Sequence, residues 1–217
     1  MAARPLIWIT RTEPGASRTA RAVKALGWSV LKAPLLRLKD MAPALDLTGL
    51  TPSAMIFTSP NAVLAWRRLI LRSGRLSASL TSVRCICVGD ATMRAARRAG
   101  FGNMLNAKGD GEAVFALVKQ QIPPEGGRIL HPANLDEGGR LAARLRADGY
   151  QVDWAPTYQT LPRLQPPRRV LSALSAGSQV IALIQSPKAA RVLASFDRDA
   201  SDREGDSRPL CSQLHAL

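Results

Sequence analysis

The sequence predicts an α/β protein built from two similar parallel-sheet domains. Short apolar runs alternate with amphipathic helical patterns, several helical patterns stop on a glycine, and two separate segments recur at nearly one spacing. Alternating strand and helix signals imply parallel sheets with helical crossovers, and glycine just past a helix supplies the left-handed residue that ends it. The 217 residues suit one large domain or two small ones, and a 46% apolar composition is enough for a core.

In chain order, "LIWIT" (6–10) reads as a strand, followed by a helix from Ser17 to Leu26 that ends at Gly27. "WSVLKAP" (28–34) is the next strand. "SAMIFTS" (53–59) and "VRCICVG" (83–89) are strands followed by helices Asn61–Leu71 and Asp90–Ala99, and a further strand–helix pair ends near Gln121. "GRILHP" (127–132) and "YQVDWAP" (150–156) are strands flanking a helix from Glu137 to Ala147. "QVIALIQS" (179–186) is a strand before the helix Pro187–Ala194.

Internal repetition organises these elements. At an offset of 122, Gly27 falls on Gly149, Ile7 on Ile129, Arg18 on Arg140, Val30 on Val152, and Ala33-Pro34 on Ala155-Pro156. At an offset of 127, Ser59-Pro60 falls on Ser186-Pro187. Two independent segments at nearly one spacing argue for a duplicated unit of roughly 120 residues.

The balance is basic, with Lys+Arg 30 against Asp+Glu 16 and a net charge of +14. Such a field attracts anions of any kind, although solvated arginine faces also explain the excess. No Lys/Arg block of five or more occurs and aromatic residues make up only 5%, which disfavours a basic tail or a base-stacking platform. No apolar run reaches 18 residues, so no membrane span is expected, and the short N-terminal apolar run does not read as a secretory signal. A cytoplasmic location is expected. Cys85, Cys87 and Cys211 form an odd set without metal-ligand spacing. Cys85 and Cys87 are expected on opposite sides of their strand. No metal site is expected.

Candidate ligand groups collect at strand ends. In parallel sheets, ligands bind beyond the carboxyl ends of the strands. "IFTSPNAV" puts Thr58, Ser59 and Asn61 there, and Ser186 and Lys188 hold the matching places in the second copy. Ser before Pro is also a plain helix start, with the hydroxyl as cap. The same helix terminus offers free N–H groups to a carboxylate or phosphate. "VGDAT" adds Gly89 and Thr92, "LHPANLDEGG" adds His131 and Asn134, "WITR" adds Arg11, and "TYQT" adds Tyr158. A structural or solvated role competes at each. No P-loop, G-x-S-x-G or H-E-x-x-H pattern is present, so an enzyme of this sequence would position a reactive substrate and manage protons.

The series "IFTSPNAV", "CVGDATMRAARRAGF", "AKGDGEAVFALV", "RILHPANLDEGGRLAARLRADGYQV" and "APTYQTLPR" resembles the uroporphyrinogen-III synthase family over about residues 5–196. The resemblance implies two α/β domains joined by two crossing linkers, and an inter-domain cleft lined by the strand-end groups. The terminal domain would comprise residues 1–35 with 170–217, the inserted domain 40–160, and the linkers 36–39 and 161–169. The implied reaction closes hydroxymethylbilane, a linear tetrapyrrole with eight carboxylates, into uroporphyrinogen III in tetrapyrrole biosynthesis. Ring A loses its hydroxyl, ring D attacks through its substituted carbon to give a spiro intermediate, and reclosure inverts ring D. No cofactor is implied. By resemblance, Tyr158 helps the hydroxyl leave, and Arg11, Thr58, Ser59, Asn61, Gly89, Thr92, His131, Asn134, Ser186 and Lys188 hold the substrate. The partner is the anionic substrate alone, with no nucleic acid or membrane, and the chain is expected to be a monomer. A non-catalytic two-domain ligand-binding or regulatory module of the same fold is the alternative reading, and a nucleic-acid binder a third.

One expectation concerns the end of the chain. At the offset of 127, Asp90 maps onto position 217, so the second copy lacks the VG-x-x-T turn and every element beyond it. The terminal domain is then expected to be incomplete and the synthase shortened, with low or absent activity. A mobile loop is expected after Phe196, with only "PLCSQLHAL" (209–217) able to form a further strand or short helix.

Overall fold

The computed structural model describes residues 4–46, 50–73, 82–201 and 214–216. The chain divides into two compact units, Met1–Leu38 with Leu161–Leu217, and Lys39–Thr160.

The first unit holds a four-stranded parallel sheet. Its strands are β1 (Leu6–Ile9), β2 (Val30–Lys32), β9 (Val180–Leu183) and β10 (Leu214–Ala216), in the order β10-β9-β1-β2. Helices α1 (Gly15–Ala25), α6 (Arg168–Ser175) and α7 (Pro187–Ser201) belong with it. Trp8 is the anchor of its main core. The ring is fully buried among Ala33, Leu35, Val170, Val192 and Phe196, and its indole N–H donates to the Ala33 carbonyl at 2.6 Å. A buried indole is stable only when its N–H finds such a partner.

The second unit holds a six-stranded sheet in the order β3-β8-β7-β4-β5-β6, apart from the first residues of β3 and the last two of β8. These strands are β3 (Leu36–Asp40), β4 (Ala54–Phe57), β5 (Arg84–Cys87), β6 (Met104–Asn106), β7 (Ile129–Asn134) and β8 (Val152–Pro162). Helices α2 (Pro60–Arg72), α3 (Asp90–Arg98), α4 (Gly111–Gln121) and α5 (Arg140–Ala147) accompany it, with a 3₁₀ turn at Leu135–Glu137. β4 is buried at every position and β7 at all but its last. Such continuous burial fits strands covered on both faces. On one face Ile56, Ile86, Ile129 and Val152 pack with Val114 and Val118 of α4 and Ala142 and Leu145 of α5. The internal likeness read from the sequence extends to register: Ile7 lies opposite Val30, and Ile129 opposite Val152.

Several elements depart from the sequence expectation. Cys85 and Cys87 share a face of β5, with their sulphurs 3.7 Å apart. Side chains repeat every two residues along a strand, so positions i and i+2 cannot face opposite sides. Cys211 lies outside the described residues. The helix expected from Glu137 breaks into the 3₁₀ turn and α5, because Gly138 and Gly139 both adopt positive φ, 65° and 67°. A side chain on Gly139 would also lie 3.1 Å from the Trp154 ring. The stretches expected as linkers contain strand residues at 36–39 and 161–162, while 163–167 are neither strand nor helix. Residues 36–39 fall in β3, and β8 runs on to Pro162 before α6 begins at Arg168. The Arg163 amide donates to Leu35 O at 2.9 Å and the Met41 amide to Thr157 O at 2.8 Å, so β3 and β8 run antiparallel. The loop expected after Phe196 begins as helix, since α7 continues to Ser201, and residues 202–208 lie outside the described residues. β10, within the stretch expected to attempt a strand, pairs parallel to β9.

Candidate active site

The richest grouping in the second unit starts where β4 ends. Thr58 and Ser59 are consecutive, and each hydroxyl meets a titratable partner. Thr58 Oγ1 donates to Glu137 Oε2 at 3.0 Å. Ser59 Oγ lies 2.9 Å from the Tyr158 hydroxyl, with either able to donate. Ser59 has extended backbone and caps α2, accepting from the Ala62 amide at 3.0 Å, with Pro60 in the first helical position. The hydroxyl therefore fastens the helix start and holds Tyr158 at once. Tyr158 lies within β8, which continues past the point where the sequence was expected to leave the strand.

Electrostatics sharpen these pairs. Tyr158 is only 4% exposed. Burial pushes its phenol up to about 12, the nearby Glu137 and Asp136 charges add to the rise, and the Ser59 bond opposes it. Burial also raises the Glu137 carboxyl above the usual carboxylate range, against the Thr58 bond and the charge of Arg140. Desolvation disfavours the charged form of each acid, so both hold their protons to higher pH than in water.

A cavity of about 480 Å³ opens beside Thr58 and Glu137, lined also by His131, Gly139, Arg140 and Arg144 among others. His131, expected at a strand end, is the third residue of β7 and 1% exposed. Neither of its ring nitrogens has a partner. Burial lowers its pKa to about 4, so the imidazole is neutral near pH 7. Arg144 pairs with Glu112 and lies over the Phe115 ring, 3.9 Å from its centroid.

The other expected residues sit as follows. Gly89 caps α3 with extended backbone, and a side chain there would meet nothing within 4 Å, so the chain is open to approach. Thr92, expected to offer its hydroxyl, is instead 1% exposed, because the first turn of α3 faces it inward. Asn134 accepts from the Asp136 amide and donates to Thr160 Oγ1, each at 3.2 Å, which holds the 3₁₀ turn. Asn61 is half-buried in the first turn of α2. In the first unit, Ser186 Oγ caps α7 by accepting from the Ala189 amide at 3.1 Å, and Lys188 is half-buried in the helix's first turn. Arg11 folds back over the start of α1, where a side chain on Gly15 would come within 2.6 Å of its guanidinium carbon. Burial, then the neighbouring Arg18, lowers the Arg11 pKa.

Glu137, Arg140 and Arg144 were not singled out in the sequence. The only trace is the acid-rich "LDEGG", which reads as an ordinary helix start until the two glycines redirect the chain. Among the described residues, no group of three or more His, Cys, Asp or Glu stands ready for a metal ion. No described helix is long and apolar enough to cross a membrane.

Comparison with known proteins gives one result in sequence and one in structure. The family model described as uroporphyrinogen-III synthase HemD matches residues 17–211. Among solved structures, uroporphyrinogen-III synthetase from Helicobacter pylori aligns with a TM-score of 0.55 at 18% identity, covering 99% of this chain and 83% of that one. A mutant uroporphyrinogen III synthase from the extremely thermophilic bacterium Thermus thermophilus aligns with a TM-score of 0.51 at 16% identity, covering 98% and 84%. No curated protein sequence matches. At these identities the structural likeness speaks for the fold, and the family match spans most of the chain: the chain belongs to the uroporphyrinogen-III synthase family.

Proposed function

We propose that this chain cyclises hydroxymethylbilane to uroporphyrinogen III, with loss of water and inversion of ring D. The observation that carries the reading is the Ser59–Tyr158 hydroxyl pair at the end of β4, 2.9 Å apart, within a chain whose family is established over residues 17–211. A buried phenol at about 12 remains protonated throughout the neutral range, so Tyr158 serves as a hydrogen-bond donor to the departing ring A hydroxyl. Ser59 orients it. Thr58, His131 and the open backbone at Gly89 offer polar contacts to the substrate. Arg11, Asn61, Asn134, Ser186 and Lys188 are proposed as further partners for its carboxylates. Thr92, being buried, would act through its backbone. The net charge of +14 favours capture of so anionic a molecule. We assign it the state of a cytoplasmic monomer acting without nucleic acid. The test is incubation with hydroxymethylbilane and chromatographic separation of isomers I and III. Isomer III in excess over the uncatalysed mixture is expected, and isomer I alone would overturn the reading.

A further inference from the structure

We propose that Glu137 carries the proton in this reaction, giving it to the departing ring A hydroxyl and later taking one back from ring D. The inference rests on the synthase reading above.

The geometry begins with the backbone. Glu137 closes the 3₁₀ turn, and the next two residues, Gly138 and Gly139, hold positive φ. Its carboxyl lines the cavity and is held by Thr58 Oγ1 at 3.0 Å, next to the hydroxyl pair of Ser59 and Tyr158. A second observation marks this cavity as a ligand site. His131 lines it with both ring nitrogens unpartnered although the residue is 1% exposed. Polar atoms sealed inside a protein without a partner are costly, and a ligand that fills the cavity would relieve that cost.

Among the described residues, the charged and titratable groups that face Glu137 come from four elements and its own turn. Asp136 is on its own turn, Arg140 and Arg144 come from α5, Asp110 and Glu112 from the start of α4, His131 from β7 and Tyr158 from β8. Arg144 is committed to Glu112, so Arg140 is the cation that acts on Glu137, opposed by Asp136.

The reaction needs one proton delivered and one removed. As the C–O bond of the ring A hydroxymethyl breaks, the pyrrole electron pair of ring A expels the oxygen, which takes the Glu137 proton and leaves as water. The resulting carboxylate then stands beside the ring A cation. The substituted carbon of ring D bonds to the ring A methylene, giving the spiro intermediate. The bond from ring D to the ring C methylene breaks, and that methylene bonds to the formerly free carbon of ring D. This carbon still bears its hydrogen, which returns as a proton to Glu137 as ring D regains aromaticity. One water leaves, the acid is restored, and no oxidant or reductant enters. Tyr158 fits this shuttle poorly, since its phenolate would form only at high pH. A carboxyl gives and recovers a proton more readily than a phenol held at about 12, and burial raises Glu137 above its ordinary carboxylate value.

The test measures initial rates of isomer III formation against pH for the full chain, for Glu137→Gln and for Thr58→Val. Glu137→Gln should slow the reaction by about 10²- to 10⁴-fold and abolish the alkaline limb of the profile. Thr58→Val removes a hydrogen bond that favours the carboxylate, so it should move that limb to higher pH, which a purely structural role would not do. If Glu137→Gln keeps the parent's rate and profile while the parent makes isomer III, the proposal falls and the synthase reading stands. If Glu137→Gln fails to fold by circular dichroism, the Thr58→Val profile decides, and an unmoved limb overturns the proposal. If the parent yields isomer I alone, both fall together.

Discussion

Two helix starts in this chain are built the same way and do different work. At Ser59-Pro60 and at Ser186-Pro187 a serine accepts from the amide three residues on, at 3.0 and 3.1 Å, and a proline opens the helix. Only at Ser59 does the hydroxyl also reach a buried tyrosine, with Thr58 beside it reaching a half-buried carboxyl. The offset of 122 carries Tyr158 onto Leu36, Glu137 onto Gly15 and His131 onto Ile9. The shared device is a local one, a cap that any such turn requires. The chemistry around one copy of it comes from three residues at distant positions that the other copy lacks.

The largest test of this contrast is an aspartate at each start. Aspartate caps a helix as well as serine does, so Ser59→Asp and Ser186→Asp should both fold. At Ser59 the new carboxylate would stand beside Tyr158, Glu137 and the substrate's own carboxylates. Like charges brought together cost several kcal/mol, so isomer III formation should fall by more than about 10²-fold. Ser186→Asp should cost only about tenfold, because among the described residues no tyrosine or glutamate is bonded at that start. Equal losses in the two variants would break the comparison.

Next in size is the acid response of the second unit. The folded-state pKa of His131, about 4, lies below the ordinary value of 6.5. Its contribution to stability is therefore complete above pH 6.5 and is lost as pH falls through 4. The full loss is about 3 kcal/mol. Glu137, being raised, works in the opposite sense, with its contribution present below the ordinary carboxylate value and lost as pH rises. His131→Ile installs the first unit's counterpart and isolates the imidazole. Protection factors of β7 amides, corrected for the intrinsic pH dependence of exchange, should fall on acidification in the parent and much less in the variant. An unchanged acid response in His131→Ile would remove His131 as its source.

Tyr158→Phe should slow isomer III formation by roughly 10²-fold, the usual cost of one well-placed donor, with little change in melting temperature. Unchanged turnover would take Tyr158 out of the mechanism. Smallest are the alanine caps: Ser59→Ala and Ser186→Ala should each cost about 1 kcal/mol of stability. Only Ser59→Ala should also lower activity, by several-fold, and an activity loss confined to Ser186→Ala would invert the comparison.

The α/β class, the order of nearly all strands and helices, and the residues that start and stop the helices are legible in the amino-acid sequence alone. These are local matters. An apolar run of four, a serine before a proline and a glycine after a helix each act over a few neighbours, and Ser59 was legible as a cap for that reason. The likeness between Ile7–Val30 and Ile129–Val152 is legible too, because parallel pairing repeats wherever the pattern repeats. Long-range packing was needed to bring Glu137 to Thr58, 79 residues away, and Tyr158 to Ser59, 99 residues away. The same packing turns Thr92 inward and buries His131 with both nitrogens bare. No pattern in "LDEGG" marks a carboxyl whose pKa burial raises, because burial is a property of everything that packs around a residue and not of the residue itself.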